Sequence, residues 1–444
     1  MTTRARSLLL ALLVAPLSAA CGSGATPAPA EDIRGPGPYA VGFRMLSLVD
    51  EARPTTDAGF THRPVPVYVW YPVDPGTVGP GTAEASYPLD PFYGQAPVSL
   101  SSDWERHGAD RAWQGPRPSA QGPFPVVVYS HGFMVPAFPV ALGARLASHG
   151  IVFAAVMHLG DDSFFPWYPP EHTWRWIIFD RPRDVSFALT ALLARNGTPG
   201  DPFQGLLRPD QVAAAGFSMG GYAALALAAG DDDVCDIPDV PPNANVGPVQ
   251  PGDPCVPTPP DPRFRAIVPM DGANQGLHTA ELKRVAVPSL ILGRDWGSLA
   301  SQSPVMAPWQ ARPHALVAGR PALRVNVVNS AHDGSFGERC TQLPVFAEVV
   351  PGFDNAALRE MIRGSCTGYT PWAEVRDVVG EYTIAFLRQV LQGDGTYAQV
   401  LTPSWTLANE PYVQLFESER IPASQITSEW PDDDTYYKHM SEVP

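Results

Sequence analysis

Charge is scarce in this chain and one-sided: 17% of its 444 residues are charged, with a formal net charge of -15 and a pI of about 5.0. There is no basic stripe to hold a phosphate backbone, so nucleic acid is not an expected partner. Cysteine is sparse too. The five cysteines include no Cys-x-x-Cys spacing, which makes zinc the weaker reading of them. No segment repeats, and the apolar block at residues 8–17 is too short to span a bilayer. What the chain has in quantity is apolar material, 45% of its residues, enough for a large core and opposed to disorder. One large domain with insertions is the simplest organisation.

Arg4 and Arg6, the apolar block and the small residues ending Ser18-Ala19-Ala20 follow the order of a secretory signal over residues 1–20. Cys21 with the following Gly-Ser-Gly-Ala resembles a bacterial lipobox, which implies acylation of Cys21 and attachment to the cell-envelope membrane. Ser18 stands where such a motif usually has a branched apolar residue, so secretion after plain cleavage near Ala20 is the alternative. Residues 21–37, small and Pro-rich, read as a tether. Export suits the other four cysteines, whose local pairings are Cys235–Cys255 and Cys340–Cys366. Each bridge would contribute about 3 kcal/mol by restricting the unfolded chain.

Segments 39–49 and 65–70 are β-prone and separated by a polar stretch, as in antiparallel strands at a sheet edge. Residues 72–123, dense in Pro, Gly and Ser, read as a long irregular excursion. From Pro125 the pattern changes to short continuous apolar runs at 126–129, 151–157, 212–217, 265–270, 287–292 and 323–328, the signature of strands buried on both faces. Helical patterns lie between them at 140–149, 183–195 and 220–229, and a last one spans 372–391. This alternation predicts an α/β fold: a mostly parallel, doubly wound sheet with helices on both faces and long inserted loops, over residues 38–400. Residues 231–262 interrupt it as an acidic, Pro-rich surface insertion. Its run Asp231-Asp232-Asp233 and Asp236 lack the spacing of a calcium loop and read as solvated. Residues 401–444 read as a C-terminal extension without a motif.

Gly216-Phe217-Ser218-Met219-Gly220 follows an apolar strand and opens a helix, which is the context that a nucleophile elbow of the α/β-hydrolase type requires. The turn is too tight for side chains at either glycine, and it sets Ser218 at a helix N-terminus where negative charge is favoured. A serine hydroxyl needs an imidazole to take its proton and a carboxylate to orient that imidazole. Of the ten histidines, His332 alone follows a late strand in the expected chain order; His278 and His314 do not. Two carboxylates satisfy the order for the acid. Asp271 ends a nearly uncharged strand before Gly272, and Asp295 follows the next strand beside Arg294, with which it would form an ordinary surface pair.

An oxyanion site needs two convergent backbone N–H groups. Met219 offers one, and Phe133, in the turn Ser130-His131-Gly132-Phe133, is the candidate for the other; His131 there reads as structural. Phe164, Phe165, Trp167 and Tyr168, with Trp174, Trp176 and Phe179, cluster among prolines. They would either wall an apolar substrate groove above Ser218 or pack as a cap over the sheet. The chemistry needs neither a metal nor an organic cofactor.

Together these residues resemble the platelet-activating-factor acetylhydrolases and their bacterial dienelactone-hydrolase-like relatives. The likeness rests on Gly37-Pro38-Tyr39-Ala40-Val41-Gly42, Val69-Trp70-Tyr71-Pro72, Ser130-His131-Gly132-Phe133, the 146–150 stretch Leu-Ala-Ser-His-Gly, and Ala154-Ala155-Val156 with His158, and it runs from about residue 37 to 392. The resemblance implies Asp271 as the acid, His332 as the base, and Phe133 and Met219 as oxyanion donors. Phe217 replaces the histidine often found before the serine in that family, and Ser218-Met219-Gly220-Gly221 is closer to cutinase-like polyester hydrolases. What it implies is therefore hydrolysis of a small-molecule, lipid or polymer ester, without a commitment to phospholipids.

Overall fold

The computed structural model describes residues 32–417 apart from 56–58, 89–91, 93–96, 99–110, 134–138, 162–173, 237–247, 274–275, 296–309, 337, 339 and 341–355. Ten strands form its main sheet. They are β1 (Ala40–Pro54), β2 (His62–Val73), β3 (Ala112–Gln114), β4 (Phe124–Ser130), β5 (Val152–Val156), β6 (Leu207–Phe217), β7 (Ala266–Met270), β8 (Ser289–Arg294), β9 (Ala322–Val327) and β10 (Val413–Glu417). Across the sheet they run β10-β9-β8-β7-β6-β4-β5-β2-β1-β3. The pairs from β5 through β9 are parallel, while β1–β2, β2–β5 and β9–β10 are antiparallel.

The apolar runs explain why the middle of this sheet is parallel. Every residue of β4, β5 and β7 is buried, so both faces must be covered, and crossover helices cover them. In β4, Val127 and Tyr129 join one core and Val126 and Val128 the other. Helices α1 (Val140–Ser148) and α4 (Trp372–Leu387) pack in the first core. Helices α2 (Trp174–Gly197) and α3 (Met219–Ala229) pack in the second. The chain leaves β4 for β5 on one side and returns through α2 to β6 on the other. The carboxyl ends of β4 and β6 therefore flank a topological switch point, where open α/β sheets bind ligands.

Several expected boundaries move. The tether was expected to reach residue 37, but Ile33 is buried and Arg34 forms ion pairs with Glu381 (2.7 Å) and Glu410, so the compact unit starts at Asp32. The expected end at residue 400 is also too early. Helix α5 (Pro403–Asn409) leads into β10, which pairs with β9 along residues 323–327 and closes that edge of the sheet. The excursion at 72–123 contains β3, which pairs parallel to β1 as the opposite edge; three residues are too few to show a strand period. Helix α2 begins nine residues before the expected 183. Pro182 and the buried charges Asp180, Arg181 and Asp184 hid its apolar face in the sequence pattern.

Both expected disulfides are present, with Cα–Cα separations of 5.1 Å for Cys235–Cys255 and 5.6 Å for Cys340–Cys366. The first ties down the insertion after α3. Its acidic run is not all solvated: Asp231 is buried, accepts a hydrogen bond from the Tyr222 hydroxyl of α3 and bridges to Thr258. Asp232 pairs with Arg284 at 2.9 Å and Asp236 with His278 at 3.0 Å, while Asp233 accepts the Cys235 N–H at 2.9 Å. Among the described residues, the metal-like grouping of Asp233 with Cys235 and Cys255 has its two thiols joined to each other.

Candidate active site

The turn from β6 to α3 carries Ser218 at φ 54° and ψ -115°, a conformation in which a residue with a side chain is strained. It is held there by its backbone. The Ser218 N–H donates to Met270 O at 3.0 Å, and the Ser218 carbonyl accepts from Gly221 and Ala273, both at 2.9 Å. A Cβ at Gly216 would collide with the Gly220 backbone, and one at Gly220 with Ser130 O of β4. Glycine at these positions lets β4, β6 and α3 approach closely enough to project the serine hydroxyl from the carboxyl end of the sheet.

Two later loops meet this serine. His332 opens the π-helical turn His332–Phe336 after β9, and its Nε2 lies 3.0 Å from Ser218 Oγ. Its Nδ1 is hydrogen-bonded to Asp271 Oδ2. The Phe217 ring packs 4.6 Å from the imidazole, centroid to centroid. Asp271 immediately follows β7 at φ 42°, is fully buried, and also receives Arg294 Nε at 2.6 Å and the Gln310 side-chain amide. Burial alone would raise the Asp271 carboxyl. The Arg294 guanidinium and the His332 ring outweigh it and hold the group below the usual carboxylate value.

Asp295, the alternative acid, faces elsewhere: its carboxylate accepts the Asn329 N–H at 2.8 Å and so braces the start of the loop that carries His332. Arg294, expected to pair with its neighbour Asp295, turns instead to Asp271. That follows from strand alternation, since adjacent residues point to opposite faces. Arg294 and Gln310 are site residues that sequence reading missed. A charged residue at the end of an apolar strand was the available signal for Arg294; Gln310 had none.

On the other flank, Ser130 pairs with Gly216 between β4 and β6, so the turn His131-Gly132-Phe133 lies beside the elbow. Met219 is the first residue of α3. His131 is buried, with Nδ1 2.7 Å from Gly132 O, while its Nε2 accepts the His158 N–H at 3.3 Å. Burial, then the neighbouring Arg181 and His158, push its pKa well below the usual imidazole value, so the ring is neutral and serves to brace the loop. Beneath it lies a buried polar network that sequence reading also missed. Ser130 Oγ meets His158 Nε2 at 2.8 Å, His158 Nδ1 meets Asp184 at 2.9 Å, and Arg63 contacts Asp184 twice at 2.8 Å.

Phe164, Phe165, Trp167 and Tyr168 lie outside the described residues. Of the same aromatic group, Trp176 and Phe179 belong to α2, where they meet edge-to-face at 5.9 Å and pack into the second core. For these two, the packing reading holds over the groove reading.

Against solved structures, the chain is similar to a ferulic acid esterase from Streptomyces cinnamoneus, with a TM-score of 0.55 and 22% sequence identity over 88% of this chain and 98% of that one. The chain has the α/β-hydrolase fold. Neither a protein-family model nor a curated protein matches the sequence. At this identity the likeness concerns architecture, and within the hydrolase fold Ser218, Asp271 and His332 stand at the ends of β6, β7 and β9.

Proposed function

We propose that the protein is a serine carboxylic-ester hydrolase working through an acyl-enzyme on Ser218. One observation carries the reading: an unbroken chain from Ser218 Oγ through the two nitrogens of His332 to a buried, ion-paired Asp271, built on a strained strand-to-helix turn. Ser218 Oγ attacks the ester carbonyl carbon as its proton passes to His332 Nε2. The oxyanion rests on the N–H groups of Phe133 and Met219. When the C–O bond breaks, the leaving alkoxide takes the proton from His332, and the acyl group stays on Ser218. Water then attacks the acyl carbonyl, giving its proton to His332, and release of the carboxylic acid returns that proton to Ser218. Asp271 keeps the Nδ1–H tautomer in place and supports the imidazolium, and every step closes on groups of this chain.

The structural neighbour acts on a ferulic acid ester, which supports an ester as substrate class. Within that class, short-acyl, lipid-like and polyester substrates are the readings to separate, with Phe164, Phe165, Trp167 and Tyr168 proposed as the groove wall. We also propose export by residues 1–20, which the two disulfides support, and lipid attachment at Cys21, which rests on the lipobox-like sequence alone. A fluorophosphonate probe should label the wild type and leave Ser218→Ala unlabelled. A folded wild type that fails to label would favour the second reading, a non-catalytic envelope lipoprotein that uses the fold as a binding surface. Turnover of short acyl esters, oxidised phospholipids and polyester film would then rank the substrates.

A further inference from the structure

We propose that Arg181 is a positioning residue of the oxyanion site: from inside α2 it holds the Gly132 carbonyl, and thereby aims the N–H of Phe133 at the reacting carbonyl. This rests on the hydrolase reading above. Arg181 is completely buried. Its Nη1 donates to Ser130 Oγ at 3.0 Å and to His131 O, and its Nη2 donates to Gly132 O at 3.2 Å and to Asp161. One guanidinium thus binds three consecutive residues of the turn that leaves β4.

The link from this grip to the oxyanion is covalent geometry. Gly132 C=O and Phe133 N–H belong to one planar peptide unit, and in a trans peptide they point in opposite directions. Fixing the oxygen toward the protein interior turns the N–H outward, toward the carboxyl end of the sheet. Gly132 O is held twice, since the neutral His131 ring donates to it from Nδ1 at 2.7 Å. Two donors on the oxygen, one of them cationic, also polarise the amide and strengthen its N–H as a donor. Apolar residues in place of the buried Arg181–Asp161 pair would pack with less desolvation cost, so core stability alone does not account for it.

Arg181→Lys keeps the charge but cannot reach three acceptors. The double variant Arg181→Met with Asp161→Asn removes the pair without stranding a buried charge. In folded samples of either, kcat for a p-nitrophenyl ester should fall by roughly 10- to 100-fold with KM within about threefold, somewhat less than complete loss of an oxyanion donor. Affinity for a trifluoromethyl ketone, whose adduct carries the oxyanion, should fall in parallel. The hemiketal carbon of a 13C-labelled adduct should titrate at higher pH than in the wild type. A merely structural role would lower the melting temperature and leave the hemiketal titration where it was. Folded variants that keep kcat and ketone affinity within threefold of an active wild type would overturn the role of Arg181 alone. A wild type that neither labels at Ser218 nor binds the ketone would overturn the hydrolase reading and this inference with it.

Discussion

Arg294 Nε stands 2.6 Å from Asp271 Oδ2, the same oxygen that binds His332 Nδ1. A fully buried carboxylate is thereby shared between a permanent cation and the imidazole it orients. Because the guanidinium opposes the effect of burial, Asp271 is held below its ordinary pKa. A carboxyl depressed in the folded state contributes stability that is present above its unfolded pKa and is lost as pH falls through the lower, folded one. In Arg294→Gln the desolvation of Asp271 loses its largest opposing charge and only His332 still counters it, so its carboxyl rises. Both the acid limb of kcat/KM and the onset of acid unfolding should move to higher pH, as read from pH–rate profiles and melts. An unchanged acid limb in a folded variant would refute the coupling.

The two aspartates at the strand ends should separate cleanly. Asp271→Asn should cost about 10⁴-fold in kcat, because the amide favours the wrong histidine tautomer. Asp295→Asn should cost little, since a side-chain amide oxygen can still accept the Asn329 N–H. Steady-state kinetics on one short ester would decide, and the reverse ranking would make Asp295 the acid.

Asp231 provides a pH signature outside the site. Burial raises its pKa to about 7, with Glu281 and Asp236 adding to the rise and the Tyr222 hydrogen bond opposing it. An acid raised in the folded state stabilises the fold at low pH, and that contribution is lost as pH climbs through about 7. The wild type should therefore melt at lower temperature at pH 8.5 than at pH 6, and Asp231→Asn, which still accepts from Tyr222, should flatten that dependence. Thermal melts across this range test it.

Replacing Cys235 and Cys255 by serine should lower stability by about 3 kcal/mol, since their bridge spans 20 residues of sequence. The elbow is held by its own backbone bonds to Met270 and Ala273, so kcat at low temperature should change less than twofold. Denaturant titration and kinetics on the same sample check both halves.

Local chemistry wrote part of this protein directly into the chain. Parallel-strand runs, two glycines around a serine, a histidine after a late strand and even the disulfide pairs depend on short-range patterns, and they sit in the structure where the sequence put them. The start of helix α2 was hidden by Pro182 and its buried charges, and strand β3 by its length, since three residues carry no periodic signal. The sequence left Asp271 and Asp295 standing as rival candidates beside Ser218 and His332. Their separation belongs to the tertiary structure, because it depends on which way each side chain leaves its strand and on partners far along the chain, Arg294, Gln310 and Asn329. The grip of Arg181 on the turn after β4 is of the same kind: a buried cation has no meaning until the fold supplies the carbonyls that surround it.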